Sequence, residues 1–195
     1  MSLIVAALLG VSTWSFLEYV IHRWAGHDRR VTRSQLNPFG MEHTRHHSEG
    51  DYFAPSWKKA GAAVVITGLA IGPAVLVAGT TGGMAYVAGF VSFYLYYEWL
   101  HRRLHTHPAS NFYGDWARRH HFWHHFHNPT ANHGVTSPIW DVVFGTRAVA
   151  EQVRVPERLA MQWLVDPSTQ DVWAAHQHSW ELRKLKKRQA QRQSA

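Results

Sequence analysis

Histidines in four short groups carry the chemistry legible in this sequence: His22-Arg-Trp-Ala-Gly-His27, His43-Thr-Arg-His46-His47, His101-Arg-Arg-Leu-His105 and His121-Phe-Trp-His124-His125. Neutral imidazole is the commonest side-chain ligand of transition metals, and these ten rings are about twice what one ion holds. The groups therefore predict two metal ions bound almost wholly by nitrogen. A redox-active first-row metal, iron above all, would make such a centre an oxidation catalyst. The sequence has 16 histidines. A solvated or tag-like tract would be contiguous, whereas these rings recur at helical intervals.

The intervals carry geometry. Residues at i and i+4 share a helix face, while i+3 and i+4 differ by roughly 100°. In His43/His46/His47 the outer pair can grip one ion while His46 reaches sideways to a second; His121/His124/His125 repeats the design. His101/His105 is a same-face pair. His22 and His27 lie roughly 140° apart on a straight helix, so they can share an ion only if the helix ends between them, and Gly26 is a suitable place.

Elements that could position these groups are visible in the hydropathy. The mean of −0.29 conceals segregation: residues 60–97, a run of 38, contain no charged residue. One helix of that length would extend roughly 57 Å, about twice the ~30 Å hydrocarbon thickness. Gly79-Thr80-Thr81-Gly82-Gly83 interrupts the run, which therefore reads as two spans joined by a tight turn. Residues 1–17 form another uncharged stretch. It lacks a basic leader, and His22 directly follows it, so it reads as a span rather than a cleaved signal peptide. The expectation is an all-α integral membrane protein with about three transmembrane helices, near 2–21, 60–79 and 84–101. One crossing followed by a hairpin brings 22–59 and 102–195 out on the same side. All four histidine groups then meet there as a helical cap, with all 20 Lys and Arg residues, Arg23 to Arg192. The positive-inside rule assigns that side to the cytoplasm, pointing to a bacterial inner membrane. Net charge +7 suits an anionic membrane surface, and no nucleic-acid-binding signature is present.

The expected division is a membrane di-metal domain over 1–150 and a cytoplasmic extension over 151–195 with a basic tail. Residues 36–40 and 52–57 read as loops carrying Pro38 and Pro55. Residues 181–192 read as a basic helix on the membrane surface or a solvated tail. His176 and His178 have no partner at ligand-like spacing and stay outside the site.

In the order and spacing of these groups, from Glu18-Tyr19-Val20-Ile21-His22-Arg23 to the closing segment Asn132-His133-Gly134-Val135-Thr136-Ser137-Pro138-Ile139-Trp140-Asp141-Val142-Val143-Phe144-Gly145-Thr146, the chain resembles the fatty acid hydroxylase superfamily. These are membrane di-iron proteins that include fatty acid 2-hydroxylases, sterol desaturases and carotenoid hydroxylases. The hairpin between His47 and His101 looks most like the fatty acid 2-hydroxylase branch.

The resemblance implies one iron on His22, His27, His43, His47 and His124, and a second on His46, His101, His105, His121 and His125. Zinc can replace iron on overexpression. It implies a dioxygen-dependent hydroxylation of an unactivated C–H bond in a membrane lipid, most simply a fatty acyl chain at the 2 position. Phe122, Trp123, Trp140 and Phe144 are candidates to line an acyl slot. The electron donor would be a separate ferredoxin or small cytochrome, drawn to Arg102-Arg103 or Arg118-Arg119. Glu18, Glu98, His107, His120, His127 and His133 are candidates to orient the ligands from behind. Glu98 and His101 form a single E-x-x-H, and one copy does not make the ferritin-like carboxylate site. Desaturation, and sterol or carotenoid substrates, stay open. A non-enzymatic metal carrier is disfavoured because 60–97 offers no ion path.

Overall fold

The computed structural model describes residues 2–28, 30 and 37–184; the basic tail from 185 onward lies outside the described residues. Helix α1, Leu3–Val20, starts where the Ser2 side chain accepts the Val5 N–H at 3.2 Å. The helical stretch ends between His22 and His27, as expected, with Gly26 its last residue and His27 its cap at φ −125° and ψ −13°. Before that end it widens into a π-helical turn, Ile21–Gly26. The i→i+5 bonding of a π turn brings residues five apart toward one side, and with the helix ending at Gly26 the two histidines meet.

Helix α2, Pro38–Glu49, carries the second histidine group. Residues 36–40 are therefore not all loop. Pro38 takes the first helical position, where its missing N–H costs nothing, and the Asn37 side chain accepts the Gly40 N–H at 3.0 Å. Helix α3, Ser56–Thr106, absorbs the end of the second expected loop and reverses direction within itself. The reversal needs one residue, Gly79, at φ 70° and ψ 170°. A Cβ at Gly83 would lie 2.7–2.8 Å from atoms of Val75, and Lys59 pairs with Glu98 at 2.5 Å. The two limbs, 56–78 and 80–106, thus run side by side as a hairpin.

Helix α1 packs along the second limb through small residues. A Cβ at Gly10 would sit 2.0 Å from the Tyr86 carbonyl oxygen, and one at Gly89 2.1 Å from that of Ala7. Such close backbone approach is how apolar helices associate where no hydrophobic effect draws them together. Trp14 then meets Phe90, Tyr94 and Tyr97 edge-on or tilted. Two helical stretches, Leu3–Gly26 and Ser56–Thr106, are long and apolar enough to cross a membrane, the second folded into its two limbs. Much of the apolar surface faces outward: Leu76 is 88% and Val77 86% exposed.

Helix α4, Phe112–Phe126, bears the fourth histidine group, and the short α5, Ile139–Val143, closes the segment that follows. The chain is mostly helical, but not wholly so. Strands β1 (Val153–Pro156) and β4 (Trp180–Arg183) pair in parallel, and β2 (Val165–Asp166) pairs antiparallel with β3 (Asp171–Val172). Residues 181–183 are therefore strand rather than surface helix. Alternating burial explains it: Trp180 and Leu182 turn inward onto a core with Phe122, Val153, Val155 and Leu164.

Candidate metal centre

The four histidine groups converge from the C-terminal parts of four helical segments. His22 and His27 come from the π turn, His43, His46 and His47 from α2, His101 and His105 from the last turns of α3, and His121, His124 and His125 from α4. They gather as two sets of five. His22, His27, His43, His47 and His124 offer nitrogens all within 4.8 Å of one another, and so do His46, His101, His105, His121 and His125. The sets abut, with the His47 and His125 rings stacked at 3.9 Å.

Three imidazoles are held from behind by main-chain carbonyls. His22 Nδ1 lies 2.5 Å from the His133 oxygen, His46 Nδ1 2.6 Å from that of Tyr52, and His124 Nδ1 2.7 Å from that of Ala131. A carbonyl can only accept, so each Nδ1 carries the proton and each Nε2 is left with a bare lone pair. These lone pairs then point at one another. His27 Nε2 lies 2.8 Å from both His43 Nε2 and His124 Nε2; His46 Nε2 is 3.1 Å from His101 Nε2; His105 and His121 approach at 2.9 Å. His22 Nε2, His47 Nε2 and both nitrogens of His125 are buried without a hydrogen-bond partner among the described residues.

So many inward lone pairs repel unless a cation lies among them. Ligands about 2.1 Å from one ion and at right angles stand roughly 3.0 Å apart, which is the separation seen in these pairs. The donor set thus fits transition metals. Burial, then neighbouring imidazoles, holds His43, His47, His121, His124 and His125 well below the ordinary imidazole range. Burial pushes His46 down to about 4. Neutral rings are the form that ligates.

The residues expected behind the ligands play varied parts. Glu18 touches no imidazole. It accepts the N–H groups of Val135 (2.6 Å) and Thr136 (2.9 Å) and the Thr136 hydroxyl (2.8 Å). It thereby fixes the loop whose His133 carbonyl orients His22. His133 also lies with its ring 5.3–5.7 Å from those of His22, His27 and His124. His120 is buried 3.3 Å from Asp141. Glu98 pairs with Lys59. His107 is exposed beside Thr106, and His127 is exposed, stacked on Trp123 and accepting the Arg154 N–H.

Asp141 is the residue sequence reasoning missed. Fully buried, it accepts from the N–H groups of His133 and Gly134, each at 2.8 Å, and from the Thr146 hydroxyl at 2.7 Å. Its place inside the closing segment, eight residues after His133, was the available signal.

An apolar cavity of about 230 Å³ borders both sets through His43, His46 and His101. Its walls are mostly apolar, with Trp14, Ile21, Phe39, Ile66 and Tyr97 among them, and Glu18, Glu42, Lys59 and Glu98 also reach it. None of the four aromatics expected there lines it: Phe122 faces the β-strand core, Trp123 stacks on His127, and Trp140 and Phe144 pack on Phe16 and Tyr19. Arg118 is likewise no surface docking residue. It is buried and donates to the carbonyls of His107, Gly114 and Arg103.

Helix ends bring ten imidazoles together in two sets that could each hold a metal ion, on a fold with two helical stretches long and apolar enough to cross a membrane. A sequence model described as fatty acid hydroxylase matches residues 7–146, which include all ten, and the chain belongs to the fatty acid hydroxylase family. It is 28% identical over 145 residues to the fatty acid 2-hydroxylase of Mus musculus, covering 71% of this chain and 38% of that protein. It is 27% identical over 146 residues to the dihydroceramide fatty acyl 2-hydroxylase FAH1 of Arabidopsis thaliana, covering 71% and 59%. A solved structure described as full-length scs7p, with only the hydroxylase domain visible, superposes with a TM-score of 0.60 at 26% identity. That match covers 76% of this chain and 58% of the other. The chain thus spans less than two thirds of the length of each of these relatives.

Proposed function

We propose that this chain is a membrane-embedded oxidoreductase that hydroxylates a lipid, a fatty acyl chain near its polar end. The observation that carries the reading is the apolar cavity bordering both histidine sets. Only an apolar substrate would gain by entering it, and whatever enters lies against the metal-binding nitrogens. The names of the relatives, fatty acid and dihydroceramide fatty acyl 2-hydroxylases, support the substrate class and the position.

His22, His27, His43, His47 and His124 would hold one iron, and His46, His101, His105, His121 and His125 the other. Bound iron supplies the redox chemistry that reduces dioxygen and oxidises a C–H bond. The chain does the rest. The carbonyls of His133, Tyr52 and Ala131 fix the tautomer and aim of three rings. Trp14, Phe39 and Tyr97 exclude water from the cavity and align the alkyl chain. Three membrane crossings, by α1 and the two limbs of α3, would place the histidines at the cytoplasmic face, level with lipid carbonyls. Residues 1–150 would form the hydroxylase domain and 151–195 a cytoplasmic extension, whose strands β1 and β4 pack against Phe122 of α4. Electrons would come from a separate ferredoxin or small cytochrome.

The test joins two measurements. Protein purified gently from iron-replete cells should carry about two metal ions per chain, with zinc admitted in place of iron. Lipids from cells expressing it should gain fatty acyl species heavier by one oxygen atom, absent from cells without it. One metal or none, or no such species, overturns the reading.

A further inference from the structure

A second cavity, of about 320 Å³ and with a lining about as polar as it is apolar, lies beside His105. Glu49, Asp51, Arg102, Arg158 and Gln162 contribute to its wall, and His105 forms its inner end. A space of that size bordered by charged groups holds water. The two histidine sets are therefore not equivalent. The first meets the apolar cavity through His43, and none of its members lines the polar one among the described residues. The second meets both: His46 and His101 face the apolar cavity, His105 the polar one.

One side chain belongs to both walls. Phe53 lines each cavity, with its ring 5.3 Å from that of His46, 6.0 Å from His101 and 5.5 Å from His105. Lys59, from the apolar cavity, sets its ammonium 5.7 Å from the Phe53 ring centre, and Arg102, from the polar cavity, its guanidinium at 5.1 Å. Cations over a ring at these distances hold it in place.

We propose that the second histidine set has its own aqueous route, the polar cavity ending at His105, which takes water, protons and small water-soluble ligands, while Phe53 is the partition that separates this route from the apolar cavity. The inference rests on the reading that both sets hold metal. A monooxygenase takes up protons with its electrons and releases water at each turnover, and a mostly apolar cavity carries both poorly. Two separate approaches let lipid enter without flooding the centre.

The test uses the full chain in lipid nanodiscs, loaded with zinc and exposed to the small aqueous chelator pyridine-2,6-dicarboxylate, with zinc release followed in time. Unmodified protein should lose its metal in two phases of one equivalent each. Gln162→Trp, at an exposed position in the cavity wall, should slow the fast phase severalfold and leave the slow one unchanged. Phe53→Ala should speed the slow phase until the two merge, and Phe53→Leu, which keeps an apolar plug, should restore two. Loss in a single phase from unmodified protein, or a fast phase indifferent to Gln162→Trp, overturns the aqueous route. A chain that takes up no zinc overturns the metal reading beneath it, and the starting stoichiometry tells the two failures apart.

Discussion

His22 and His133 are 111 residues apart, yet the His22 ring nitrogen Nδ1 lies 2.5 Å from the His133 main-chain oxygen. The carbonyl fixes which nitrogen carries the proton and so which one is free to ligate. It is itself held by two buried acids, Asp141 from one side of the loop and Glu18 from the other.

Removing either acid should therefore loosen metal binding although neither touches an imidazole of the ten. Asp141→Ala leaves the His133 and Gly134 N–H groups unpaired, and Glu18→Ala does the same to Val135 and Thr136. The expected fall in metal affinity is about 10–100-fold, the usual effect of losing a group that orients a ligand. Titration with zinc against a competing chelator measures it. Affinity unchanged in both variants would mean the carbonyl does not orient His22.

Helix packing gives a prediction independent of metal. A side chain at Gly10 would meet the Tyr86 carbonyl at 2.0 Å, whereas Gly61 and Gly68 have nothing within 4 Å. Gly10→Val should cost on the order of 1–3 kcal/mol, the range for overpacking, with more if the backbones cannot part. Gly68→Ala should be neutral or stabilising by up to about 1 kcal/mol through helix propensity. Thermal unfolding of both variants in detergent decides it.

The ten histidines and the triplet design were readable because helical spacing dictates faces, and His43/His46/His47 obeys that rule. The helix end at Gly26 was readable too, but the π turn before it was not, since nothing in Ile-His-Arg-Trp-Ala-Gly announces i→i+5 bonding. The hairpin was legible in the uncharged run, but its turn narrowed to Gly79 because one positive φ suffices there. Asp141 and the carbonyl props were beyond sequence reasoning. Backbone acceptors leave no mark in residue type, and a lone Asp in a loop carries no periodicity. The strands at 153–156 and 180–183 escaped notice because a parallel pair across 23 intervening residues has no local signature.

Acid should weaken the metal-free cap. His46 and His133 fall from the ordinary 6.5 to about 4 in the folded chain, chiefly through burial. Below 6.5 the unfolded chain binds protons that the folded one refuses, so stability is full above that value and lost as pH falls toward 4. Protection of the amides of residues 117–136 from hydrogen exchange in metal-free protein, relative to the intrinsic rate at each pH, should fall between about pH 7 and about pH 5. Bound metal, which competes with protons for the same nitrogens, should suppress the change. Equal protection at both values without metal would contradict the burial argument.

Membrane topology is tested by single cysteines, which the chain otherwise lacks. A cysteine at Thr81, just past the Gly79 reversal, should react with impermeant reagent from outside the cell. One at Ser48, near the end of α2, should react only from inside. Labelling of both from one side would remove the three-crossing arrangement.

The last prediction separates ligands from other histidines. His46 is the middle ring of its triplet and sits in the set opposite to His43 and His47, its Nε2 3.1 Å from His101 Nε2. His46→Ala should lower bound metal and abolish turnover, because its loss strips the second set of the only ring α2 gives it. His176 lies instead among the strands, 5.6 Å from the Trp163 ring. His176→Ala should leave metal content and turnover near those of the unmodified chain, with at most a small loss of stability from the cap. Both variants belong in one membrane preparation, assayed for metal per chain and for hydroxylated acyl product. His120→Ala adds a graded control. That ring touches Asp141 rather than either set, so affinity should fall without loss of stoichiometry at saturating metal. Metal retained equally by His46→Ala and His176→Ala would mean that the convergence of these rings is packing and that the ligands lie elsewhere.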